Sequence, residues 1–200
     1  MHFVVLDFET LNPSRRSGFS FCAMKFESGE RRHSVTRRFA PADSWVSLWA
    51  IKSFGVSQGE VDHFKPFKEV WQEVEAMFRG DVFVVCHNAP FDMSVLRNCL
   101  TEFNCSVEEF QFVCSLAIAK RTWPSLTRHG LADLTEHLGI ELNHHDPESD
   151  CMATGQIFMK QMEKLGVEIT APNEMVLQRL LDLDGKLVKR SNMEAHTNEF

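Results

Sequence analysis

Residues 3–10 read FVVLDFET, a continuous apolar run that ends in two acids. Four apolar residues from Phe3 to Leu6, with no polar partner between them, predict a central strand buried on both faces. Asp7 and Glu9 stand two apart on extended chain, so their carboxylates share one face while Phe8 turns to the other. Carboxylates directly after a buried strand are costly unless a cation meets them, and the next basic residue is Arg15. A D-x-E pair alone proves little, because about one arises by chance in a chain of this length. Asp146-Pro147-Glu148 is a second one here. Position raises the first.

Downstream of this strand, Asn12 to Gly18 reads as a turn, and Phe19–Phe26 and Ser34–Phe39 flank a Glu27–Glu30 turn as a hairpin. Phe67, Val70, Trp71, Val74, Met77 and Phe78 recur at helical spacing, predicting one amphipathic helix over Pro66–Arg79. Val82–Cys86 is another buried strand, running through His87-Asn88-Ala89-Pro90 into a helical pattern that reaches Leu100. A short strand at Phe110–Cys114, helical stretches at Leu116–Arg121 and Leu131–Leu138, and a long helix from Pro147 to about Leu165 complete the pattern. Strands first, then strand–helix alternation, predict an α/β fold with a mixed five-stranded sheet flanked by helices. The domain reading is 1–168 for the main unit, 169–187 for a C-terminal helical extension, and 188–200 for a flexible tail.

Composition bounds the function. The chain has 200 residues, 44% hydrophobic and 24% charged, which excludes wholesale disorder and an integral membrane protein. Net charge is −7, which speaks against a broad, sequence-blind grip on a polyanion. Its six Cys form no C-x-x-C pair, and Cys86 and Cys114 lie in apolar runs, so reduced, mostly buried thiols are expected. With an opening apolar run too short for a signal peptide or a membrane span, a cytoplasmic location is the expectation.

Further acids stand where the chain changes element. Asp92 falls in the first turn of the helix that Asn88 is placed to cap, where a carboxylate also complements the helix dipole. Asp146-Pro147 is a good N-cap and N1 pair, which leaves His145 just before the next helix and Asp150 in its first turn. His144, beside His145, is the obvious rival. All-oxygen clusters select hard cations, Mg²⁺ or Mn²⁺, over zinc. Two such ions about 4 Å apart suit phosphodiester cleavage, and a neutral His nearby suits general-base work on water.

With these residues assembled, FVVLDFET, VVCHNAPFDMSVL and HHDPESDCMAT resemble, in order and spacing, the three motifs of the DEDDh 3′–5′ exonuclease family, of the DNA polymerase III epsilon-like and RNase T-like kind. The segment CSLAIAKRTWPSLTRHGLADLTEHLGIEL resembles the family's stretch between the second and third motifs, so the likeness runs from about Phe3 to Leu165. The resemblance implies an RNase H-like sheet. It implies that Asp7, Glu9 and Asp150 hold one divalent cation, with Asp7 bridging to a second that Asp92 supports through water. It implies His145 as the base, and Thr10, Leu11, His87 and Phe91 as residues at the 3′-terminal nucleotide.

Two departures stand out. Phe54 occupies the place of a His in the relatives' His-Gly-Ile element, and Phe21-Cys22-Ala23 replaces an Ile-Gly pair in the second strand. The expected activity is release of nucleoside 5′-monophosphates from single-stranded DNA ends. The alternatives are an exoribonuclease acting on RNA tails or short oligoribonucleotides, and a polymerase-associated or catalytically silent binding module. Arg15 and Arg16 are candidates for phosphate contact because their loop follows Glu9, and Trp123 is a candidate for base stacking.

Overall fold

The computed structural model describes residues 1–193. Its strands are β1 (His2–Thr10), β2 (Gly18–Glu27), β3 (Glu30–Arg38), β4 (Phe83–Cys86), β5 (Gln111–Cys114) and β6 (Val188–Arg190). They form one mixed sheet in the order β3-β2-β1-β4-β5-β6. β1 pairs antiparallel with β2 and parallel with β4, which places it at the centre as its apolar run requires. The α/β, helix-flanked sheet is as expected, with six strands rather than five.

The sixth strand corrects the tail reading. Val188–Arg190 pairs antiparallel with β5 through Gln111↔Arg190 to Val113↔Val188, and Met193 is buried in the core. A three-residue segment carrying two cations has no periodicity to read, and the open edge of β5 orders it. The rest of that expected tail, residues 194–200, lies outside the described residues.

The helices are α1 (Leu48–Phe54), α2 (Gln58–Val61), α3 (Phe67–Trp71), α4 (Ala89–Glu102), α5 (Ser115–Thr122), α6 (Leu131–Leu138), α7 (Pro147–Lys164) and α8 (Asn173–Leu183). The single helix expected over Pro66–Arg79 is instead α3 followed by a 3₁₀ turn at Glu75–Phe78. Its apolar residues are buried all the same, because both a 3₁₀ turn and an α-helical turn return residues three apart to one side.

Alternation along β1 divides the core. Val4, Leu6 and Phe8 pack with Trp71, Met93 and Leu96 on one face of the sheet. Phe3 and Val5 pack with Phe158, Met162, Val176 and Leu180 on the other. Asp7 and Glu9 continue the second row, so they emerge on the face covered by α7. There α7 lies close to the sheet at Gly155, where a Cβ would sit 2.5 Å from the Phe26 ring. The α8 extension is part of this core. Asn173 donates to the His2 carbonyl (2.8 Å) and accepts from its N–H (2.7 Å).

Candidate active site

At the end of β1, three elements deliver four acids to one point. Asp7 and Glu9 come from the strand and Asp150 from the first turn of α7, with ligand oxygens of all three within 4.8 Å of one another. Asp92 reaches the same place from α4 on the opposite face. Its Oδ1 accepts the Phe8 N–H at 3.0 Å, and it is only 1% exposed. Asp146 caps α7 as expected, accepting from the Glu148 N–H at 3.2 Å with Pro147 following. Asn88 does not cap α4. It takes a left-handed conformation (φ 72°) and makes no side-chain cap bond, serving instead as the turn that ends β4.

Burial and mutual repulsion set the electrostatics. Asp7 is pushed well above the usual carboxylate range by burial first, then by Asp92, Glu9 and Asp150. Burial, reinforced by Asp150, raises Glu9 from 4.5 to about 8. Burial raises Asp92 as well, against the Phe8 N–H, and raises Asp150 against its bond with His144. Among the described residues, no hydrogen-bond partner meets one buried oxygen of Asp7 or one of Asp92. Buried acceptors of one sign, left open and facing each other, fit hard divalent cations. The donor set is all oxygen, which suits Mg²⁺ or Mn²⁺ rather than zinc.

The two histidines divide the rim between them. His145 sits before α7 in the left-handed region (φ 73°), which lets its backbone N–H reach Asp150 Oδ2 at 3.2 Å. Its ring stacks on His144 (centroids 4.1 Å) and meets Trp49 edge-on at 5.7 Å. The side chain that bonds Asp150 is the neighbour's, His144 Nδ1 to Oδ1 at 3.3 Å. Burial and His144 both lower the His145 pKa, so its ring is neutral and able to accept a proton at neutral pH.

The residues expected at the substrate separate on inspection. Phe91 carries the Arg15 guanidinium 4.1 Å above its ring, and Arg15 is among the groups that lower the Asp92 pKa, which puts it near the acids. Arg16 is instead tied to Glu102 at 2.8 Å. Thr10 is nearly buried, and Leu11 is wholly buried among Phe19, Val46, Ala50, Val56 and Val61, which leaves its side chain in the core and off the cleft surface. His87 points between β4 and α5, with Nδ1 2.8 Å from Ser115 Oγ, and burial takes its pKa down to about 4. Trp123 packs with Leu131, Leu134 and Ile157 rather than standing free. Phe54 and Trp49 both touch His145, and no periodicity marks Trp49 in the sequence.

A metal-linked pH response follows. As pH rises, an unfolded Glu loses its proton near 4.5, whereas Glu9 in the fold holds it to about 8. Its contribution to stability is therefore present at low pH and is lost as pH climbs from 4.5 through 8. In EDTA the melting temperature should fall across that window. Mg²⁺ or Mn²⁺ at ~100 times Kd should restore about 2.7 kcal/mol, or roughly 5–10 °C at this size, at pH 8 and less at about pH 5.5. Thermal melts with and without metal at both pH values check this, and equal melting temperatures at pH 8 would overturn it.

Residues 4–158 match the family model described as RNase_T exonuclease. The chain belongs to that exonuclease family, and Asp7, Glu9, Asp92, His145 and Asp150 all lie within the matched span. Among curated relatives, it is 27% identical over 184 residues to "3'-5' exonuclease DinG" of Bacillus subtilis, covering 89% of this chain and 19% of that protein. It is 32% identical over 127 residues to "DNA polymerase III PolC-type" of Streptococcus pneumoniae, covering 61% of this chain and 9% of that one. The chain thus spans a fifth or less of the length of these relatives. Its fold matches solved structures at low identity. One is Exonuclease X in complex with 5′ overhanging duplex DNA (TM-score 0.66, 17% identity, 86% of this chain and 98% of that one). Another is the nuclease domain of 3'hExo, a DEDDh family member, bound to rAMP (TM-score 0.68, 16% identity, 84% and 94%). Among the described residues, no helix is long and apolar enough to cross a membrane.

Proposed function

We propose that this chain is a two-metal-ion 3′–5′ exonuclease that releases nucleoside 5′-monophosphates from single-stranded DNA ends. The observation that carries this reading is the cluster of Asp7, Glu9 and Asp150 with Asp92 acting on Asp7 from the other side, where among the described residues no donor meets one buried oxygen each of Asp7 and Asp92. Asp7, Glu9 and Asp150 would hold one cation, Asp7 would bridge to the other, and Asp92 would support it from the α4 side. When bound, such cations supply Lewis-acid stabilisation at the phosphate and lower the pKa of a bound water.

The protein's own groups do the rest. His145 takes the proton of the attacking water at a ring nitrogen. The water oxygen joins phosphorus as the bond to the neighbouring nucleotide's 3′ oxygen breaks, and that oxygen stays on the shortened strand and takes a proton from solvent. Arg15, held 4.1 Å over the Phe91 ring and among the groups that lower the Asp92 pKa, would meet the phosphate beside the acids. The DNA assignment draws on the DNA polymerase III relative, and the same likeness supports a polymerase partner as part of this reading.

Digestion of matched labelled DNA and RNA strands, single and double, with Mg²⁺, Mn²⁺ or EDTA tests the proposal. Stepwise mononucleotide release from single-stranded DNA with either metal, abolished by EDTA, is expected. Faster loss of RNA would transfer the assignment to an exoribonuclease. Intact strands under every metal condition, from protein shown to be folded, would remove it in favour of a silent binding module.

A further inference from the structure

The rim of the cleft carries a second group of side chains able to hold a metal, and its chemistry differs from that of the acids. His144, His145 and Asp150 each offer a donor atom, and these atoms lie within 4.8 Å of one another. Two imidazoles and a carboxylate make a nitrogen-rich set, which suits a borderline cation such as Zn²⁺. The oxygen-only group of Asp7, Glu9 and Asp150 suits Mg²⁺ or Mn²⁺ instead. Asp150 belongs to both.

The backbone brings the two rings together. Neighbouring side chains on extended chain point to opposite faces, but His145 takes the left-handed conformation (φ 73°), and its ring stacks on His144 at 4.1 Å with the planes 20° apart. His144 Nδ1 stands 3.3 Å from Asp150 Oδ1. A charge-assisted hydrogen bond is shorter, about 2.7–2.9 Å. The observed separation matches the edge of a tetrahedron around zinc, which is about 3.3 Å for bonds of about 2.0–2.1 Å. Asp150 Oδ2 accepts the His145 N–H at 3.2 Å, which aims Oδ1 at the rings. His144 is half exposed, so its ring is free to adjust, while Trp49 meets the His145 ring edge-on at 5.7 Å and restricts its rotation.

We infer that His144, His145 and Asp150 form an inhibitory Zn²⁺ site on the rim of the cleft, with water in the fourth position. A neutral imidazole that binds a metal through one nitrogen carries its proton on the other, so a zinc-bound His145 has no nitrogen left to accept a proton from water. The same zinc draws Asp150 away from the hard cation. The neighbouring acids attract any divalent cation, and the imidazoles decide which one stays at the rim. The inhibition rests on the exonuclease reading above, whereas the binding stands without it.

The test compares the full chain with His144→Ala and with His144→Phe, which keeps a ring against His145 and removes the donor. His2→Ala, at the opposite end of β1 and exposed, reports zinc held by an unrelated histidine. Calorimetric titration with Zn²⁺ in excess Mg²⁺ should show one site per chain, weakened at least ~10-fold in both His144 variants and unmoved in His2→Ala. Co²⁺ in place of zinc should give the intense visible absorption of a four-coordinate ion in the wild type and His2→Ala alone. During Mg²⁺-supported digestion of single-stranded DNA, Zn²⁺ should inhibit the wild type. The concentration for half-inhibition should rise at least ~10-fold in both His144 variants, each measured against its own zinc-free rate.

A four-coordinate cobalt signal that both His144 variants lose, from protein that digests no strand with any metal, would keep the site and remove the nuclease. Zinc affinity and zinc inhibition that are the same in the wild type and in both His144 variants would overturn the site and put the zinc among the acids.

Discussion

Replacing Asp7 with Asn is expected to cut nucleotide release by roughly 10³–10⁴-fold and, at the same time, to raise the melting temperature of the metal-free protein at pH 8. Loss of several kcal/mol of charge stabilisation at the reacting phosphate, at about 1.36 kcal/mol per tenfold, sets the range for activity. The opposite sign for stability comes from the same atoms. Asp7 is held above its ordinary pKa by burial and by Asp92, Glu9 and Asp150, and one of its oxygens has no donor. Asn has the same shape, carries no charge, and offers an amide N–H to the neighbouring carboxylates. The buried repulsion falls, so the fold gains what the reaction loses. The gain in melting temperature on adding Mg²⁺ should also shrink, since one carboxylate proposed to hold the cation is gone. Digestion rates beside melts in EDTA and in Mg²⁺ decide the matter. Loss of activity together with a lower melting temperature in EDTA would mean that Asp7 is structural and not a ligand.

Such a trade between function and stability explains why part of this site was legible from sequence. Asp7 and Glu9 violate the local rule that a buried strand ends in residues which tolerate burial, and that violation points straight at a cation. Asp150 carried a weaker signal, because Asp146 and Pro147 already explain the start of α7. Asp92 carried little signal. Its role depends on the Phe8 N–H reaching it at 3.0 Å across the end of the sheet, a contact between residues 84 apart. The fold shows the same division. The run from Phe3 to Leu6 announced the central strand, and Val82–Cys86 announced the buried strand that pairs with it. The break between α3 and its 3₁₀ turn was invisible, since both conformations bury the same apolar spacing. β6 was invisible because Val188-Lys189-Arg190 gains its order from the edge it joins. Trp49 was missed because α1 turns its apolar residues outward, so no inward-facing period exists to find.

The histidine pair poses the remaining choice, and the structure sharpens it. His144, not His145, bonds Asp150 through its ring, yet His145 is the ring set between Asp150 and the aromatic wall of Trp49 and Phe54. A general base needs a neutral ring, and burial and His144 hold His145 below the ordinary imidazole range, whereas the Nδ1 of His144 ties that ring to Asp150. His145→Ala is therefore expected to lower kcat by about 10²–10⁴-fold, the usual worth of a positioned base, while the Mg²⁺-induced rise in melting temperature persists. His144→Ala should cost far less in rate. It should instead move the acid limb of the pH–rate profile upward, because His144 is one of the groups that lower the His145 pKa. In the wild type that limb should lie below the range of an ordinary imidazole, and in His145→Ala it should disappear. Reversed severities, with His144→Ala the crippled variant and His145→Ala near normal, would give the base role to His144 and make its 3.3 Å bond to Asp150 the orienting contact of the catalytic ring.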